Sequence, residues 1–131
     1  MKITMLGHST FLIETAGWRI LTDPWLTEPL YWGRLRHASP VPDPHQMPPP
    51  DLILISHGHR DHCDLNTLAA FPTSLPVVAY AGCAGRLKRA GFYHLHPVKA
   101  GDIVDLYGGK IEFGRSEYLG GLAVSVTFST R

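Results

Sequence analysis

Asp51-Leu52-Ile53-Leu54-Ile55-Ser56-His57-Gly58-His59-Arg60-Asp61-His62 is the stretch that decides the fold. Its first half is a short unbroken apolar run, as expected of a central strand covered on both faces. Alternate side chains of a strand share a face, so His57 and His59 point the same way just past its end. Gly58 between them lets the backbone bend with no side chain in the way. Two imidazoles at that spacing suit one divalent ion, at about 2.1 Å per nitrogen. Asp61 and His62 come one turn later, where the chain enters a helix, and offer an oxygen and a further nitrogen to a second ion. A lone histidine here would read as an ordinary polar loop residue. Four metal-type side chains within six residues of a strand exit do not.

Working outward, residues 2–6, 10–15 and 18–22 alternate as three strands of a meander, with Ala16-Gly17 as one turn. Asp23-Pro24 ends the third strand, because proline cannot donate to a ladder and restricts the residue before it. Most of the chain's 11 prolines fall between Pro24 and Pro50, so residues 25–50 read as one long irregular loop. Within it, Trp25, Tyr31 and Trp32 either line a binding groove or pin the loop to the body of the protein. Beyond the motif, residues 64–71 read as a short helix stopped by Pro72, and 76–80 as a strand. Residues 82–90 read as a basic helix closed by Gly91, and 92–98 as a strand. A hairpin follows over 103–107 and 110–113 around Gly108-Gly109, and 122–128 is a last strand. The expected class is α/β, a mixed and mostly antiparallel sheet with helices on one face.

With 131 residues, 44% hydrophobic and 18% charged, the chain suits one domain with a real core. A net charge of +1 leaves no basic footprint for nucleic acid. No apolar run approaches a membrane span, and the N-terminus lacks a secretory pattern. Cytoplasm is the expected location, where Cys63 and Cys83 stay reduced. Among the remaining histidines, His8 occupies a Gly-His-Ser bend between two strands, and His94 and His96 share a face of one strand in a structural role. His37 and His45 lie in the long loop.

His57-Gly58-His59-Arg60-Asp61-His62 resembles the His-x-His-x-Asp-His signature of the metallo-β-lactamase superfamily. Leu6-Gly7-His8-Ser9-Thr10-Phe11-Leu12-Ile13-Glu14 and Ile20-Leu21-Thr22-Asp23-Pro24 are similar to the same superfamily. The resemblance is to the branch of ascorbate-6-phosphate lactonase-like proteins and the phospholipase D acting on N-acylphosphatidylethanolamines. Arg36-His37-Ala38-Ser39-Pro40 and the proline-rich approach lean toward the latter. The likeness runs through essentially the whole chain but covers the N-terminal half of the family's fold.

This resemblance implies half of an αββα sandwich carrying two divalent ions, usually zinc, with manganese or iron as alternatives. It implies that His57 and His59 bind the first metal and that Asp61 and His62 bind the second. Asp23 would hydrogen-bond a ligand histidine, though Asp-Pro is also a common turn opening, and His8 would lie at the site's edge. The implied activity is hydrolysis by a metal-bound hydroxide, oriented by Asp61, of a small-molecule or lipid ester, lactone or phosphodiester. The resemblance also implies a third histidine, a bridging aspartate and another histidine further on. Residues 1–131 are therefore expected to be one C-terminally truncated domain, completed by a second half or by self-association. The alternative is a catalytically incomplete module for metal binding or assembly. A nuclease ranks below both.

Overall fold

The computed structural model describes residues 1–27, 33–106, 109–115 and 122–128. Three N-terminal strands, β1 (Lys2–Met5), β2 (Phe11–Thr15) and β3 (Trp18–Thr22), form the expected antiparallel meander. Ala16 and Gly17 join β2 to β3 with φ of 50° and 82°, the two-residue geometry whose twist matches that of the flanking strands.

β4 (Leu52–Ile55) lies parallel to β3, and β5 (Val77–Tyr80) and β6 (Leu95–Val98) continue in parallel, giving the order β1-β2-β3-β4-β5-β6. The sheet is mixed as expected, but the strands that carry and follow the motif run parallel. Crossover connections impose this: α1 (Leu65–Leu68) separates β4 from β5, and α2 (Ala84–Arg89) separates β5 from β6. Asp64 starts α1 by accepting from the Thr67 N–H. The helix is shorter than residues 64–71, because Ala70 and Phe71 form turns onto Thr67 and Leu68 before Pro72. A 3-10 turn at Ala81–Cys83 leads into α2, and another at Pro44–Gln46 is the one helical element of the described part of the long loop.

Alternation along β4 builds two cores. Ile53 and Ile55 pack with Leu21, Val77 and Ala79 against Leu68, Phe71, Leu87 and Phe92, the helical side. Leu52 and Leu54 pack with Ile20, Val78 and Val98 against Ile111 and Phe113. Those last two belong to β8 (Gly109–Arg115), which sits between β7 (Ile103–Leu106) and β9 (Leu122–Phe128) in a second, antiparallel sheet. Helices therefore cover one face of the larger sheet and the smaller sheet covers the other. Burying a side chain of this size contributes about 1.5–3 kcal/mol, and every residue of β4 is buried. Tyr31, Trp32, Tyr107 and Gly108, named in the sequence reading, lie outside the described residues.

Strand direction positions the site. β1, β3, β4 and β5 all point the same way, so the bends after them share one edge of the sheet. In open sheets with parallel strands, ligands are bound at that carboxyl edge.

Candidate metal centre

Three of those bends bring the motif together with residues distant in sequence. After β4, His57, His59 and His62 cluster: the His57 ring centroid is 4.7 Å from that of His59 and 3.9 Å from that of His62. The turn between them is closed by the His62 and Cys63 N–H groups, which both donate to the His59 carbonyl, at 2.9 and 2.8 Å. Asp61 and His62 therefore sit in a tight turn, and the helix begins only after Asp64, where its cap allows it. Asp61 Oδ2 lies 3.4 Å from His62 Nε2.

Gly58 has a reason beyond the bend. A β-carbon there would lie 2.7 Å from Arg86 Nη2 and 3.4 Å from Cys83 Sγ. Arg86 donates to the Gly58 carbonyl at 2.6 Å, tying the loop between the two histidines to α2. Nothing local in sequence marks Arg86, which lies 28 residues away. Cys63 and Cys83 are both free thiols buried beneath this loop. They hydrogen-bond each other, and that bond raises the Cys63 pKa and lowers that of Cys83.

After β3, Asp23 adopts φ 43°, in the left-handed region. Aspartate is among the few residues found there with any regularity. Its backbone is held at both ends: its N–H donates to the Leu54 carbonyl at 2.8 Å, and its carbonyl accepts from Thr10 Oγ1 at 2.9 Å. Its carboxylate accepts from the Ser56 N–H at 2.7 Å and from Ser56 Oγ at 2.6 Å. Oδ2 also lies 2.9 Å from His62 Nδ1. An ionised carboxylate only accepts, so Nδ1 carries a proton; in the neutral ring, Nε2 then keeps its lone pair. Asp23 thus lies against a motif histidine while also occupying the turn before Pro24.

After β1, His8 Nε2 lies 3.3 Å from Asp61 Oδ2, at the edge of the cluster. Ser9 Oγ is 3.4 Å from His62 Nε2. Ser9 and Ser56 were not singled out from sequence; each adjoins a residue that was. His96 on β6 and His94 just before it stay apart from the motif, two strands from β4, with rings 5.1 Å from each other. Trp25 is fully buried and stacks on His37 at 3.8 Å, so this aromatic pins the loop. His45 donates its N–H to Asp43.

The electrostatics separate two histidines. Burial, then His62 and His59, hold His57 below its ordinary pKa against smaller opposing contributions, so it stays neutral. Burial also pulls His62 down, but the hydrogen bond and charge of Asp23, with the charge of Asp61, raise it above the ordinary value.

In kind, imidazoles and a carboxylate suit a divalent ion, and His57 Nδ1 is buried with no hydrogen-bond partner among the described residues. Among those residues, however, no group of three or more His, Cys, Asp or Glu side chains is placed to hold one ion.

A family model described as "Beta-lactamase superfamily domain" matches residues 2–116. A "UPF0173 metal-dependent hydrolase" of Desulforamulus reducens is 36% identical over 102 residues, covering 77% of this chain and 40% of that protein. One of Azorhizobium caulinodans is 31% identical over 127 residues, covering 92% and 50%. The chain thus spans half or less of these relatives' length. Among solved structures, an isothiocyanate hydrolase from Delia radicum gut bacteria shares the fold, with a TM-score of 0.75 at 19% identity, covering 98% of this chain and 59% of that one. The diiron β-hydroxylase CmlA of Streptomyces venezuelae has a TM-score of 0.67 at 18% identity, covering 98% and 28%. At these identities the likeness is one of fold.

Proposed function

Since the chain belongs to the beta-lactamase superfamily, we propose that it is the metal-binding part of a metal-dependent hydrolase. The observation that carries this reading is the convergence of His57, His59, Asp61 and His62 at the carboxyl edge of the sheet, with Asp23 bonded to His62. His57 and His59 would hold one divalent ion, and Asp61 and His62 a second. Bound there, zinc, manganese or iron would lower the pKa of water and polarise the bond to be broken.

The chain's own residues have separable tasks. Asp23 fixes the tautomer of His62, the usual service of a carboxylate behind a ligand histidine. Asp61, within reach of both His8 and His62, orients the attacking group. Arg86 holds the backbone between His57 and His59 in place. The substrate class is a small-molecule or lipid ester, lactone or phosphodiester. No described helix is long and apolar enough to cross a membrane, and a cytoplasmic location belongs to the same reading.

A second reading has an observation of its own: no described group of three donors is placed to hold an ion. It makes this chain a catalytically incomplete module for metal binding or assembly. Both readings meet one experiment, turnover of a panel of chromogenic esters and phosphodiesters by the chain in zinc, manganese or ferrous iron. Hydrolysis abolished by chelator, and by His57→Ala or Asp61→Ala, supports the enzyme. Metal binding without turnover supports the incomplete unit. Turnover indifferent to chelator and to both substitutions would overturn the first reading.

A further inference from the structure

We propose that a cleft beside the motif seats an anionic group of the substrate, a carboxylate or phosphate, and that Arg36 holds it. The cleft has a volume of about 320 Å³ and is lined by Met5, Leu6 and His8 together with Arg36, Ser39 and Pro40. That is at the lower end of small-molecule sites. His8 is a wall shared with the metal-ligand cluster, since its Nε2 lies 3.3 Å from Asp61. Whatever fills the cleft is therefore next to the chemistry.

Charge selects the occupant. Among the described residues, Arg36, which is exposed, has no ion-pair or hydrogen-bond partner and no carboxylate lines the cleft. A guanidinium stays ionised and presents a planar fork of donors that fits carboxylate or phosphate oxygens. Its position is prepared. Gly33, at φ 83°, leaves room for Arg36 Nη2, which lies 3.0 Å from where a β-carbon would stand. The next residue, His37, stacks on buried Trp25 and packs under Gly7, where a β-carbon would lie 3.4 Å from its ring and 3.2 Å from Val41. Met5, Leu6, Ala38 and Pro40 make the rest of the wall largely apolar, which calls for an apolar body beside the anion.

The proposal rests on the hydrolase reading for the meaning of the anion as part of a substrate, but its binding test does not use turnover. Phenyl phosphate is titrated into the chelator-treated chain and followed by amide chemical shifts, with benzyl alcohol as the neutral counterpart. Binding is expected to shift the Gly7, His8 and Ser39 amides, to weaken in high salt, and to exceed that of benzyl alcohol. Arg36→Gln is expected to weaken phenyl phosphate about 10-fold or more, the loss of a charged hydrogen bond, and Arg36→Lys to recover part of it. Equal affinity in Arg36→Gln, shifts confined to another face, or no binding by the wild type would each overturn the proposal. Anion binding that persists in a chain without metal-dependent turnover would count against the hydrolase reading alone.

Discussion

Asparagine in place of Asp23 separates a group that orients a ligand from one that merely caps a turn. Asp23 accepts from the Ser56 N–H, from Ser56 Oγ and from His62 Nδ1, at 2.7, 2.6 and 2.9 Å. Asparagine has the same length and also tolerates φ of 43°, so the backbone survives. Its carbonyl oxygen keeps the bond to the Ser56 N–H, and the Ser56 hydroxyl rotates to suit the new amide. The Nδ1–H of His62 has no such freedom. It either loses its acceptor or moves its proton to Nε2, which removes the lone pair facing Asp61. Losing one hydrogen bond to a charged acceptor costs about 1.5–3 kcal/mol. Removing such a partner typically lowers metal affinity about 10–100-fold, and the two figures agree at about 1.4 kcal/mol per tenfold. The assay is competition for zinc against a chromophoric chelator, with urea unfolding of both metal-free proteins as the control for fold. Asp23→Asn is expected to bind about 10–100-fold more weakly. Wild-type affinity in a folded Asp23→Asn protein would refute the orienting role and leave Asp23 a turn residue.

Gly58→Ala drives a β-carbon to 2.7 Å from Arg86 Nη2 and breaks its bond to the Gly58 carbonyl. A loss of about 1–3 kcal/mol in urea unfolding is expected; adding Arg86→Met should then cost less than the sum, and full additivity would deny the contact. Leu54→Ala, in a buried position on the central strand, should cost about 2–5 kcal/mol, and a thermal midpoint unmoved from wild type would contradict a core built around β4. Burial, then His94, lower the His96 pKa, so the unfolded chain takes up that proton first as pH falls. Stability from neutral His96 is thus intact above about 6.5 and is lost as pH falls through the folded-state value. His96→Gln should flatten the acid limb of stability against pH in metal-free protein; an unchanged limb would rule this out.

Strong local signals made much of the fold legible. The unbroken apolar run of β4, the Ala16-Gly17 turn and the alternation of β2 and β3 each specify their element without distant help. Parallel pairing was less legible, because strand direction depends on crossovers rather than on residues within a strand. The helix after the motif was read long, since Ala69 to Phe71 carry nothing against helix while the turns that replace it depend on packing. At the candidate site the four donors could be read from six consecutive residues. Ser9, Ser56 and Arg86 could not, because their contacts arise only when bends after three strands, and a helix after a fourth, meet at one edge. Gly58 was read as freedom to bend, yet its φ is not positive; the need is for space beside Arg86, which no local pattern reveals.

Divalent metal per chain, measured with mass in solution on protein purified without chelator, tests the central claim most directly. The expected result is bound metal approaching about two ions per completed unit, falling in folded His57→Ala and His62→Ala proteins. Metal content unchanged by both substitutions would contradict the assignment of His57-Gly58-His59-Arg60-Asp61-His62 as the metal site.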